Sequence, residues 1–226
     1  MKMKMFAALI AGSALLPLTV SAADAPKRLQ SAAQAFKEVM GMPDKAIPQD
    51  LLNRAQCIVI VPDLKKGAFI VGGKYGKGFV SCRKKDGVGW SAPGAVRIEG
   101  GSVGFQIGGS EMDVFMLVMN DRGMDRLLGD KFTLGADATV AAGPVGRVAQ
   151  AETDARMTAE ILAWSRARGL FAGIALNGAT LREDEDWNME LYGKALKNRE
   201  IVDGSVAAPK SAGALLGELD RYSSRK

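Results

Sequence analysis

Hydrophobic and polar positions follow two different periods along this chain, and the change from one to the other divides it. Leu29, Ala32, Ala33, Phe36, Val39 and Met40 recur at helical spacing, with Lys27, Arg28, Gln34, Lys37 and Glu38 between them. The spacing predicts an amphipathic helix over Ala23 to Met40, docked on a core by its apolar face, with membrane binding by that face as the alternative. Gly41-Met42-Pro43-Asp44 stops it, and a second short helix runs from near Pro48 through Leu51, Leu52 and Ala55. From Cys57 the period falls to two. CIVIVP, GAFIVGG and GKGFVSCR read as three antiparallel strands, with turns at Asp63-Leu64-Lys65-Lys66 and Gly73-Lys74-Tyr75-Gly76.

Beyond a turn at Lys85-Asp86-Gly87, the glycine-rich run Ala95 to Gly109 predicts bulges and sharp bends in a curved sheet. Glu111 to Met119 is apolar enough for a central strand, and Asp121 to Leu128 reads as a helix capped by Asn120 or Asp121. Leu134 to Arg147 (LGADATVAAGPVGR) predicts a strand whose residues Ala136, Ala138, Val140 and Ala142 share one nearly flat face. Gly169 to Gly178 has the same small-residue character. Such faces admit a packed layer or an apolar ligand close to the backbone, and packing is the more ordinary use. Thr153 to Leu162 fits helix or loop, with a strand from Glu160. An acidic turn at Glu183 to Asp186 and a brief helix over Trp187 to Tyr192 close the pattern. A polar connector and a helix over Ala212 to Tyr222 follow.

Composition narrows what such a chain can do. With 226 residues and 47% hydrophobic content it can bury a sizeable core. There is no histidine, which excludes imidazole metal sites and histidine-activated nucleophiles. Lys2 and Lys4, the apolar Phe6 to Val20 and the small residues Val20-Ser21-Ala22 read as a cleavable export signal over 1–22, implying a periplasmic protein. The apolar segment, about 15 residues, falls short of the roughly 20 needed to span a bilayer. Without residues 1–22 the charge is +3, too mild for a nucleic-acid binder. Cys57 and Cys82 permit one disulfide closing a loop of about 25 residues, worth about 3 kcal/mol. A three-strand meander between them would hold the thiols apart, so spacing leaves the bond open.

Candidate chemistry is sparse. The glycines complete neither a Walker loop nor a dinucleotide fingerprint, so no cofactor is indicated. Glu183, Asp184, Glu185 and Asp186 could supply a hydrolase with paired carboxylates, but adjacent acids at a turn are usually solvated. Glu111 and Asp113 share a strand face, too few oxygens for a calcium cage. The clearest electrostatic feature is Asp63 to Asp86, where Lys65, Lys66, Lys74, Lys77, Arg83, Lys84 and Lys85 face two acids. In a meander, the first and third groups would merge into one basic rim able to attract anionic headgroups. Edge lysines that block strand-to-strand aggregation are the competing explanation.

Six spaced motifs carry a resemblance: Trp90-Ser91-Ala92-Pro93, Gly101 to Gly109, Leu134-Gly135-Ala136-Asp137, Ala142 to Arg147, Arg168 to Gly173, and Tyr192-Gly193. In this order, across about Leu51 to Gly193, they resemble the SYLF lipid-binding family. The resemblance implies a phospholipid-binding module, with some members linked to actin at membranes and a lipid-binding amphipathic helix at the N-terminus. Asn177 stands where an acid is expected. The chain carries no Src-homology module and reads as exported, which argues against an actin partner. The resulting expectation is an α+β domain, a curved, mainly antiparallel glycine-rich sheet flanked by helices. Its parts are a helix region over 23–50, the SYLF-like domain over 51–193 and a tail over 194–226. It would bind anionic phospholipid without catalysis through Lys65, Lys66, Lys74, Lys77, Arg83, Lys84, Lys85 and Arg147. The alternative is a structural or envelope-stress protein that contacts another protein or a cell-wall polymer.

Overall fold

The computed structural model describes residues 25–42, 46–69, 71–103, 108–129, 131–145, 159–167, 169–174 and 176–223. Helices α1 (Ala25–Met40) and α2 (Gln49–Arg54) precede four long strands. These strands are the hairpin of β1 (Cys57–Phe69) with β2 (Val71–Cys82), then β3 (Gly94–Val103), which pairs with β2, and β4 (Gly108–Val118), which pairs with β1. Next come α3 (Asp121–Leu127), β5 (Lys131–Thr133), β6 (Val140–Ala142), β7 (Ile161–Ala167), β8 (Leu170–Gly173) and β9 (Thr180–Glu183). The chain ends in α4 (Glu185–Tyr192), α5 (Asn198–Val202) and α6 (Gly213–Ser223). Among the described residues the strands form one nine-stranded sheet, ordered β5-β9-β3-β2-β1-β4-β7-β6, with β8 also on β7. Every pairing is antiparallel except β6 with β7. The sheet curls into a half-barrel, so the α+β class with a curved, mainly antiparallel sheet holds.

Residues 57–61 of β1 and 114–118 of β4 are buried without interruption, because both faces of these central strands are covered. Ile58, Ile60, Phe79, Phe115, Leu117 and Trp164 pack under α1, α2, α4 and α6. The opposite parity, including Val59, Val61, Val80, Met116 and Ile161, closes inside the curl on Phe132, Leu134 and Leu181. The predicted helix over Ala23 to Met40 is α1, docked as expected. Its Leu29, Ala32, Phe36 and Val39 are fully buried, and Phe36 meets Tyr222 of α6 edge-on. Asn120 caps α3, accepting the Gly123 N–H at 2.8 Å.

The expected three-strand meander is two strands instead. Asp63-Leu64-Lys65-Lys66 is not a turn but a bulge, where β1 slips register against both neighbours. Asp63 takes φ 51°, its N–H donates to Asp113 Oδ1 at 3.0 Å, and Arg28 donates to the Pro62 carbonyl and the Asp63 carboxylate. These anchors absorb one extra residue and let the strand continue. Gly73 to Gly76 lies inside β2, and Gly76 lets Leu64 approach: a β-carbon there would sit 2.7 Å from Leu64 Cδ1.

A two-stranded hairpin settles the cysteines. Cys57 and Cys82 fall opposite each other in register and form a disulfide, both sulfurs buried. The expected separation of the thiols rested on an intervening strand that is absent. Replacing both by alanine is expected to lower the unfolding free energy by about 3 kcal/mol in denaturant titration, mainly through the unfolded chain.

Leu134 to Arg147 is only partly a strand. Gly135 takes φ 85°, and the Asp137 carboxylate accepts the Thr133 N–H at 2.6 Å, so the chain turns before β6. The small residues beyond it serve packing. A β-carbon at Gly143 would lie 2.0 Å from the Trp164 ring, and one at Gly173 would lie 2.1 Å from the Gly143 carbonyl oxygen. Arg147, the proposed export segment 1–22 and most of Thr153 to Leu162 lie outside the described residues.

Candidate functional site

The basic residues between Asp63 and Asp86 separate into three environments. Lys66 and Lys74 sit directly opposite each other on β1 and β2, and Lys65 sits opposite Tyr75. Lys65 approaches Glu111 at 3.7 Å, both side chains well exposed. One residue further on, Gly109, Gly67, Gly73 and Gly101 stand side by side on β4, β1, β2 and β3. A β-carbon at Gly67 or Gly101 would meet nothing within 4 Å, so close packing does not account for these glycines. Tyr75 is 49% exposed. Leu170, 72% exposed, starts β8 at the same end of the sheet, because β7 runs antiparallel to β4. This end therefore presents lysines, an aromatic ring and an aliphatic side chain around bare backbone.

Lys77 is committed to the fold. Its ammonium lies 2.8 Å from Asp184, whose side chain is almost wholly buried, and 4.6 Å from the Trp187 ring centre. Arg83 is buried at the junction of α2 and α6, donating to the carbonyls of Leu52 and Ser223 and stacking on Trp90 at 3.8 Å. Lys84 and Lys85 occupy the turn after β2, roughly 30 Å along the strands from Lys66 by the ordinary rise per residue. The first and third basic groups therefore do not merge, because the hairpin has two strands and places them at opposite ends. The first and second do, through Lys66 and Lys74.

Helix α1 is tied to the sheet. Arg166 of β7 donates to the Asp113 carboxylate, at 2.6 Å for Nη2, and to the Glu38 carboxylate on α1. Hydrogen bonds from Gln34 and Arg166 hold the Glu38 carboxyl below its ordinary pKa. Glu111 and Asp113 have separate cationic partners, Lys65 and Arg166. The expected acidic turn is the end of β9 and the start of α4, not a solvated loop. Asp184 caps the helix, accepting the Trp187 N–H at 3.1 Å, while Glu183 and Glu185 pair with Lys197 at 3.2 and 2.5 Å. Those bonds, Glu185 first, keep the Lys197 ammonium above its ordinary pKa. No group of three or more metal-ligating side chains occurs among the described residues. Nor is any described helix long and apolar enough to cross a membrane.

One cationic feature is invisible in the linear chain. Lys77, Arg97, Arg182 and Lys131 are successive register partners across β2, β3, β9 and β5. Strand order alone assembles this row, from positions far apart in sequence. Arg97 and Arg182 border a cleft of about 490 Å³, which Glu183, Glu185, Asp186 and Lys197 also line.

Comparison with known proteins places this geometry. The family model described as "Ysc84: Las17-binding protein actin regulator" matches residues 99–222, more than half of the chain. The chain belongs to the Ysc84 (SYLF) family. It is 34% identical over 184 residues to "SH3 domain-containing YSC84-like protein 1" of Homo sapiens, covering 81% of this chain and 53% of that protein. It is also 34% identical over 181 residues to "Protein YSC84" of Saccharomyces cerevisiae, covering 78% and 38%. A Schizosaccharomyces pombe protein, "SH3 domain-containing protein PJ696.02", is 37% identical over 180 residues, covering 78% and 41%. The chain thus spans about half or less of the length of these relatives. The family is named for binding and regulation, and the expectation against actin is not borne out by that description. The Ysc84 match begins at Glu99 on β3, so the lysine-bearing β1–β2 hairpin precedes it.

Proposed function

We propose that this Ysc84-family chain binds anionic phospholipid surfaces, without catalysis, through the glycine-rich end of its sheet. The observation that carries the reading is the register of Lys66 against Lys74 with Lys65 beside them. Like charges directly opposite each other cost stability in a sheet, so their retention calls for an external anion. Tyr75 and Leu170 suit the boundary between headgroups and acyl chains. Export to a periplasm belongs to the same proposal. Its check is the intact mass after expression in a bacterial host, which should lack residues 1–22.

Vesicles test the main reading. The full chain should co-sediment with vesicles of increasing anionic lipid content and be released as salt shortens the screening length from about 10 Å at 0.1 M. Binding that ignores anionic content, or none at low salt, overturns it. The family's description as an actin regulator favours a second reading, a protein partner of that class. Co-sedimentation with filamentous actin, in the absence of lipid, is the corresponding result.

A further inference from the structure

We infer that the cleft between β3, β9 and α4 is a second binding site, distinct from the lysine-bearing end, for a phosphate that carries an amine on a short linker. Its cationic wall is incompletely neutralised. Arg97 and Arg182 face each other in register, and Lys131 follows on β5. Glu99 is the carboxylate between the two arginines, 2.8 Å from Arg97 Nε and 3.8 Å from Arg182 Nε. Both contacts use Nε, and both guanidiniums stay partly exposed. Two neighbouring planar forks offer more donors than a carboxylate's two oxygens can accept, and so match a phosphate better.

The rest of the lining has the other sign. Glu183 and Glu185 share Lys197, which leaves that trio at −1. Asp186, exposed on the first turn of α4, has no partner among the described residues and adds a second negative charge. A ligand of high negative charge would be drawn to Arg97 and Arg182 and repelled by Asp186. A dipolar ligand satisfies both signs, its phosphate on the arginines and its ammonium toward Asp186. The cleft's 490 Å³ is within the ordinary range for a small-molecule site.

This chemistry exists both as a free phosphoamine and as the zwitterionic headgroup of a phospholipid, and calorimetry on the full chain separates them. O-Phosphoethanolamine should give saturable binding that exceeds that of inorganic phosphate or ethanolamine alone. Arg182→Gln should weaken it about tenfold or more, the usual scale of a hydrogen bond to a charged group. Asp186→Asn should weaken phosphoethanolamine but leave phosphate unchanged or tighter. Binding by vesicles of phosphatidylethanolamine alone, with none by free phosphoethanolamine, assigns the site to the lipid. The reverse assigns it to the soluble compound. Circular dichroism of each variant confirms that it folds. No binding to either source, or binding of both phosphate and phosphoethanolamine that is indifferent to Asp186→Asn, overturns the inference. The lysine-bearing end is untouched by these variants, so anionic-vesicle binding should persist throughout.

Discussion

Neutralising Lys65, Lys66 and Lys74 together as glutamines is expected to weaken binding to anionic vesicles by roughly a hundredfold, at about 1 kcal/mol per basic residue near the surface. The same substitutions at Lys84 and Lys85 should change it by less than about threefold, because those residues lie at the far end of the strands and do not share the contact. Only the two-stranded hairpin makes this distinction. In a meander, Lys84 and Lys85 would have joined Lys65 and Lys66, and both variants would lose binding alike. Co-sedimentation of the two variants at one low salt concentration gives the answer, and equal losses would mean that diffuse charge is responsible. Loss of folding is a weak confounder, since Lys65 is exposed with one exposed acidic neighbour and exposed pairs contribute about 0–1 kcal/mol.

The prediction shows which parts of the site were legible in the chain. Helical periodicity located α1, α2, α3 and α6, since each buries one apolar stripe. The uninterrupted apolar run of β4 marked it as central because both of its faces are covered. Turn chemistry misled where tertiary contacts overrode it. Asp63-Leu64-Lys65-Lys66 and Gly73 to Gly76 have the composition of turns, but Arg28 and Asp113, distant in sequence, hold the first as a bulge. These two misread turns misplaced the basic groups and left the disulfide unresolved, since the register of Cys57 with Cys82 depends on how many strands lie between them. The arginine cleft was illegible for another reason. Arg97 and Arg182 become neighbours only because β9 returns to pair with β3 after β4 to β8 have been laid down elsewhere. No local pattern encodes that return.

Asp184→Ala is expected to cost about 3–5 kcal/mol of folding stability, the scale for a buried pair deprived of one partner. Asp184 is fully buried and has two tasks. One oxygen accepts the Trp187 N–H at the start of α4, a cap worth about 1 kcal/mol. The other lies 2.8 Å from Lys77 Nζ, and truncation would leave that half-buried ammonium over the Trp187 ring without its carboxylate. Trp187 stacks on Phe79 with centroids 5.8 Å apart, so the loss should spread into the packing of α4 on the sheet. Adding Lys77→Met removes the stranded charge and should recover most of the electrostatic part, leaving about the cost of the cap. Denaturant unfolding of the two singles and the double measures the coupling directly. A coupling below about 0.5 kcal/mol would mean that water screens the pair in solution as it does at exposed sites. A large one would mark Lys77 as a residue of the fold, explaining why the most central cation of the β1–β2 hairpin stands apart from the lysines near its tip.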